Sequence, residues 1–154
     1  MKYIKTYETK TKGITFQQWL ISNTNDINTT KINCSRSSLN DLNGIEKFIK
    51  LEVLNCSNNQ LKELPDLSNL SNLKELYCSY NQLKELPDLS NLTNLQYLSC
   101  YNNQLKELPD LSNLSNLKEL SCYNNQLPYN DLKEYLEWHK KEYPWIWDAK
   151  KYNL

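Results

Sequence analysis

Glycine and alanine are almost missing from this chain, with two and one in 154 residues. A glycine-lined phosphate loop is thereby excluded, and tight bends fall to Asn, Asp, Ser and Pro. Histidine occurs once, at 139. No Ser or Cys stands at a recognisable catalytic spacing from it, so we expect no enzyme and no cofactor. An excess of either charge is also lacking: 18 Lys and Arg balance 18 Asp and Glu. Without a basic field, neither nucleic acid nor an anionic membrane is an expected partner. No apolar run is long enough to span a bilayer. The opening MKYIKTYETKTKG contains no apolar core of a signal peptide, so the expectation is an intracellular, soluble monomer.

Cysteine pairs of the CxxC type are absent too. The five cysteines, at 34, 56, 78, 100 and 122, are odd in number and evenly spaced. That suits neither a zinc knuckle nor a disulfide framework. We expect a column of small, reduced, buried residues.

What the chain does contain is leucine, asparagine and lysine, at 27, 22 and 17 residues. They are arranged in a unit that recurs every 22 residues: Leu51 to Asn72, Leu73 to Asn94 and Leu95 to Asn116, the middle copy reading LKELYCSYNQLKELPDLSNLTN. A truncated copy runs from Leu117 to Leu127, and a degenerate one opens at Thr29 with Ile32, Cys34, Leu39, Leu42, Ile45 and Phe48 in the apolar slots. Repetition at this period predicts a solenoid, in which stacked units bury a core that none could bury alone. Around Leu54-Asn55-Cys56 the apolar alternation has period 2, as for a strand with one buried face. Asn59, Asn81, Asn103 and Asn125 follow each strand and are expected to bond backbone groups of the next coil. Pro65, Pro87 and Pro109 start an extended segment. Asp66, Asp88 and Asp110, or the serines two residues on, cap the turn presenting Leu67, Leu70 and their equivalents to the core.

The unit L-x-x-L-x-C-x-x-N-x-L-x-x-L-P-D-L-S-N-L-x-N closely resembles the leucine-rich repeat pattern, in the short form of the bacterial internalin-like class. The resemblance implies an α/β solenoid: an arc with a short parallel β-sheet on its concave face and turns or 3₁₀ segments on the convex face. We expect helical caps at both ends, because an open solenoid exposes the apolar cross-section of its terminal coils. The expected domains are an N-terminal cap (1–28), five repeats (29–128) and a C-terminal helical cap (129–154). In the first, Tyr3, Ile4 and Tyr7 suit an extended segment before Lys12-Gly13. Thr15 then caps a helix to about Ser22 that presents Phe16, Trp19 and Leu20. In the last, Asn130 or Asp131 caps a helix to about Glu142 with Leu132, Tyr135, Leu136 and His139 at helical spacing. Trp145-Ile146-Trp147 beyond it is read as part of a lid, or as a docking surface.

Comparison of the three full copies locates a face. They differ almost only at positions 2, 3, 5, 7 and 8, read as the strand residues that point away from the core. Lys62, Glu63 and Asn69 should be exposed as well, yet their equivalents do not differ. We therefore expect contact on the concave face, at Tyr77, Tyr80, Tyr97, Tyr101, Tyr123, Glu75, Glu119, Asn102 and Asn124. Tyr101 and Tyr123 share a column and should lie about 5 Å apart, close enough to stack. A tyrosine-rich surface offers large contact area at little rotamer entropy. The alternative is a self-contained ring ladder that only strengthens strand pairing. Functionally, the reading is a protein-interaction module that binds another protein, as a host-directed effector or an intracellular scaffold. A carbohydrate or small-ligand binder stacking its ligand on the tyrosines is the other candidate. The column of Asp66, Asp88 and Asp110 lacks further acidic ligands, so no metal is expected there.

Overall fold

A chain whose apolar slots repeat at one fixed interval can satisfy all of them at once by laying each copy on the last. The computed structural model describes residues 13–23 and 26–145 and has this arrangement. Tyr3, Ile4, Tyr7, Lys12, Ile146 and Trp147 lie outside the described residues. Strands β1 (Lys31–Asn33), β2 (Val53–Asn55), β3 (Glu75–Tyr77), β4 (Tyr97–Ser99) and β5 (Glu119–Ser121) form one parallel sheet in sequential order. Paired residues are 22 apart throughout, so Leu76 faces Leu54 on one side and Leu98 on the other. Parallel neighbours joined in sequence require a crossover, and here the crossover is the remainder of each repeat. The result is a parallel-sheet solenoid, as the repeats predict.

Each strand buries its central residue and turns its flanks outward. In one coil, Leu51, Leu54, Cys56, Leu61, Leu67 and Leu70 are fully buried. On the far side of the coil, Leu70 N–H donates to Leu67 O (2.9 Å) and Leu73 N–H to Leu70 O (2.8 Å), which makes two tight turns in succession. Asp66 sets up the first: its carboxylate accepts from Ser68 N–H at 2.8 Å and from the Ser68 hydroxyl at 3.0 Å. The same pair in the next repeat holds the Asp88 carboxyl below its usual range. The degenerate first coil uses a 3₁₀ turn, Ile45–Lys47, at this place.

Two polar columns run along the stack. Asn81 Nδ2 donates to Cys78 O (3.0 Å) in its own coil and Cys56 O (3.1 Å) in the preceding one, while Oδ1 accepts from Leu61 N–H (3.0 Å). Asn59 and Asn103 do the same, and Asn125 repeats it at the last coil. The amides thus reach back to the coil before them, rather than forward to the next as the sequence suggests. The reason is that the strand's own direction leaves the preceding coil's carbonyl and N–H facing the turn. All five cysteines are free and buried. The thiols of Cys34 and Cys56 point at the position-5 carbonyl of the following coil, each at 3.4 Å.

Helix α1 (Phe16–Asn23) opens on a reciprocal cap in which Gln18 N–H donates to Thr15 Oγ1 and Thr15 N–H to Gln18 Oε1. Phe16 is fully buried against Phe48, with Trp19 stacked behind it at 5.7 Å. The helix is locked down at Gly44, which adopts φ 101 and lies beneath Gln17; the Gln17 amide donates to Asn43 O at 2.9 Å. A Cβ on Gly44 would meet Gln17 Nε2. Gly44→Ala combines this collision with an unfavourable backbone, and is expected to lower stability by about 1–2 kcal/mol in urea denaturation.

At the other end, helix α2 (Leu132–Glu142) is capped by Asp131, which accepts from Glu134 N–H at 2.9 Å. Asn130 O takes the bond from Cys122 N–H that a further strand would otherwise accept (2.8 Å). Tyr135 and His139 are buried, and Leu132 and Trp138 pack partly against the core. Leu136, expected among the inward residues, is 40% exposed. It lies about 100° around the helix from Tyr135, and the contact stripe centres on Tyr135 and includes Trp138 instead.

Candidate binding face

The solvent side of the sheet is a set of columns fixed by register. One runs Val53, Glu75, Tyr97, Glu119, and its neighbour Asn55, Tyr77, Ser99, Ser121. Tyr97 therefore stands between two carboxylates, and Tyr77 donates its hydroxyl to Glu75 Oε2 at 2.9 Å. Partial burial, that hydrogen bond and the nearby Glu75 and Glu119 charges push the Tyr77 phenol up to about 12. Lys74 and Lys118, at position 2, are engaged sideways, with Glu52 (2.9 Å) and Gln96 (2.9 Å).

Positions 7 and 8 are not strand residues. The strands end at position 5, and position 8 adopts a left-handed backbone in every full copy and the truncated one: Asn58, Tyr80, Asn102 and Asn124, at φ 58, 55, 54 and 53. Asparagine enters this region readily and tyrosine does so at a cost of roughly 1 kcal/mol. Nor does position 7 always face solvent: Ser79 is buried, its hydroxyl 2.8 Å from that of Ser99. The period-2 alternation that orients strand side chains stops where the chain leaves the sheet, so extrapolating it past the cysteine misplaces them.

The tyrosines consequently fall into two groups. Tyr101 and Tyr123 stack face to face, with centroids 4.5 Å apart and planes 13° apart. Tyr80 meets Tyr101 edge-on at 5.2 Å. These three rings contact one another along the turns, beside an amide pair in which Asn124 Nδ2 donates to Asn102 Oδ1 at 3.0 Å. Tyr77 and Tyr97, by contrast, belong to no ring pair among the described residues. They line a concavity of about 290 Å³ together with Tyr101, Glu119, Leu98, Ser99 and Ser121. It brings together four of the nine residues singled out from the sequence, with Glu75 held at its edge through Tyr77. Tyr80, Tyr123, Asn102 and Asn124 lie outside its lining.

The profile for leucine-rich repeats in two copies matches residues 49–91, 71–111 and 93–134, together more than half of the chain. The chain belongs to the leucine-rich repeat family. No curated protein sequence matches it significantly. Among solved structures, the leucine-rich repeat chain is similar to the functional domain of InlJ from Listeria monocytogenes, which includes a cysteine ladder. That similarity has 41% identity over 64% of this chain and 21% of InlJ, with a TM-score of 0.60. YopM from Yersinia enterocolitica matches at 30% identity over 74% of this chain and 28% of YopM (TM-score 0.61). A leucine-rich repeat protein of Leptospira interrogans matches at 26% identity over 74% and 35% (TM-score 0.53). This chain therefore spans about a fifth to a third of the structures it resembles. Leucine-rich repeat proteins generally mediate protein–protein interactions, and no helix among the described residues is long and apolar enough to cross a membrane.

Reading the leucine-rich repeats by their period directs attention to the sheet and away from a second cavity, at the C-terminal end. This one, of about 300 Å³, is lined by Leu108, Pro109, Asp110, Tyr129, Tyr135, Trp138, His139 and Tyr143. His139 Nε2 lies 4.0 Å from Asp110 Oδ1, and Tyr135 Oη accepts from Leu111 N–H at 3.3 Å. Burial raises the Tyr129 and Tyr135 phenols above their ordinary range. The signal was the spacing Tyr135, Trp138, His139, Tyr143 on one helix, which is aromatic rather than aliphatic. Beside it, Trp145 is 64% exposed.

Proposed function

We propose that the chain is a protein-interaction module that binds another protein on the concave side of its sheet. Tyr77, Tyr97 and Tyr101 act as anchors, Tyr80 and Tyr123 extend the patch, and Glu75, Glu119, Asn102 and Asn124 set orientation. What carries the reading is the concavity lined by Tyr77 and Tyr97, whose rings belong to no ring pair among the described residues. The scaffold beneath is already ordered by the asparagine and leucine columns, so binding there costs little backbone entropy. Residues 1–28 and 129–154 serve in this reading as covers for the ends of the repeats at 29–128. The second reading is a carbohydrate or small ligand stacked on the tyrosines; Tyr101 offers it little, with one face against Tyr123 and the edge of Tyr80 against it.

Immobilised wild type and Tyr77→Ala/Tyr97→Ala, matched for folding by circular dichroism, are to be compared in capture of proteins from a cell lysate. The expected result is a specific protein retained by wild type and reduced about tenfold or more by the variant. Equal recovery rejects the tyrosine face. Retention of wild type on a polysaccharide resin, with no protein captured, favours the sugar reading.

A further inference from the structure

We infer that the concavity between Tyr77 and Tyr97 accepts a cationic side chain, an arginine, presented by the partner protein. This rests on the protein-binding reading of the sheet and specifies its chemistry. Three features point the same way. First, the walls are aromatic: Tyr77, Tyr97 and Tyr101 line the space, and neither Tyr77 nor Tyr97 is engaged by another ring among the described residues. A ring face left open at a partly desolvated site attracts a cation through its quadrupole.

Second, the charge around it is of one sign. Glu119 lines the space and Glu75 stands on the other side of Tyr97 in the same column, two strand spacings or about 10 Å away. Among the described residues neither carboxylate has a basic partner, although lysines are at hand. Lys74 and Lys118 are turned along position 2 to Glu52 and Gln96 instead. Burial is the main cause of the rise of the Tyr77 phenol, and the hydrogen bond to Glu75 and the charges of both glutamates add to it.

Third, the polar groups at the floor suit a flat donor. Ser99 and Ser121 also line the space, and the Ser99 hydroxyl lies 2.8 Å from that of Ser79. A guanidinium lying on a tyrosine ring directs its N–H groups outward in its own plane, towards carboxylate and hydroxyl acceptors at the rim. An ammonium is a point charge and cannot do both at once. Tyr77 also holds its hydroxyl proton towards Glu75, which fixes that carboxylate beside the space.

The test uses the full chain and two blocked hexapeptides that differ only in carrying arginine or its neutral isostere citrulline at the third position. Binding is followed by NMR shifts of the tyrosine ring protons. We expect saturable shifts at Tyr77 and Tyr97 with the arginine peptide, and binding weaker by about tenfold with citrulline. Glu75→Gln/Glu119→Gln keeps the shape and should weaken the arginine peptide to a similar degree while leaving the citrulline peptide unaffected. No saturable shift with arginine, equal binding of the two peptides, or indifference to the double substitution each overturns the inference. The two readings fail separately. If Glu75→Gln/Glu119→Gln still captures the lysate protein at wild-type level, the cation is wrong and the interaction face stands. If Tyr77→Ala/Tyr97→Ala captures it equally, the face itself is wrong.

Discussion

Asn81→Ala is expected to destabilise the protein by about 2 kcal/mol. The side chain carries four contacts: Leu61 N–H donates to its oxygen, and its amide donates to Cys56 O, Cys78 O and Ser79 O. Alanine removes every one: Leu61 N–H is left without an acceptor, while Cys56 O, Cys78 O and Ser79 O each keep one donor, from Asn59, Asn103 and Asn58 N–H. An unpaired buried N–H costs about 1–3 kcal/mol, and one is created, at Leu61. Asn81→Asp retains the acceptor but not the donors and sets a charge against carbonyl oxygens, so it should be no milder. The control is Asn69→Ala, in the same repeat family but exposed, which should fall within about 0.5 kcal/mol of wild type. Urea midpoints decide the matter. Equal midpoints for Asn81→Ala and Asn69→Ala would mean that the column of amides does not hold the coils together. The central position of Asn81 matters, because in a one-dimensional stack a lesion at an end unit can fray locally without unfolding the rest.

The second large effect is alkaline. An exposed thiol ionises near 9, whereas burial pushes those of Cys34 and Cys122 up to about 12. Cys56, Cys78 and Cys100 are raised well above their ordinary value too, by burial first and then by the neighbouring thiols of the column. A folded value above the unfolded one means that the stabilisation is complete below about pH 9. It is lost as pH rises towards 12, because the unfolded chain releases protons that the folded chain retains. Each thiol contributes a slope of about 1.4 kcal/mol per pH unit in that window. Acting together, the five should reduce stability by several kcal/mol per unit above about pH 10. Tyr77, raised in the same direction, adds to the trend. Urea denaturation at pH 8, 9, 10 and 10.5 should show the midpoint nearly level at first and then dropping steeply. Cys78→Ala should flatten the drop. At pH 8 the five thiols should react with a thiol reagent only after unfolding. Reaction in native buffer at the rate of a free thiol would show that the column is not sealed.

Much of this architecture was legible before any coordinates. Leu76, Cys78, Asn81, Leu83, Leu86, Leu89 and Leu92 recur at one interval, and a residue type that recurs in this way must meet its own copy when the units stack. The pairing of Tyr101 with Tyr123 follows from the same rule and is found at 4.5 Å. The helix boundaries were legible for a local reason, since Thr15 with Gln18 and Asp131 with Glu134 are capping pairs that depend on near neighbours alone. Reading failed where orientation depends on leaving a regular element. Ser79 and Tyr80 follow the cysteine of one repeat, and reading both as strand residues that point away from the core conflicts with alternation, which turns only one of two neighbours outward. The left-handed residue at position 8 turns the chain instead, burying Ser79 and placing Tyr80 edge-on to Tyr101. Leu136 was misplaced because helical spacing admits it beside Tyr135, whereas the buried stripe extends the other way, to Trp138, about 60° from Tyr135 against about 100° for Leu136.

The amino-acid sequence by itself determined that the chain coils on a 22-residue period, with leucine, cysteine and asparagine each stacked in a column. Packing of near-identical units repeats one small rotation and translation, so each residue type meets its own copy in the next coil. Only the tertiary structure decided which two tyrosines are left without a ring partner among the described residues, beside carboxylates that have no basic partner there. Those side chains differ from repeat to repeat, so no periodic rule governs them. Their positions depend on register between neighbouring strands and on the turn that ends each one.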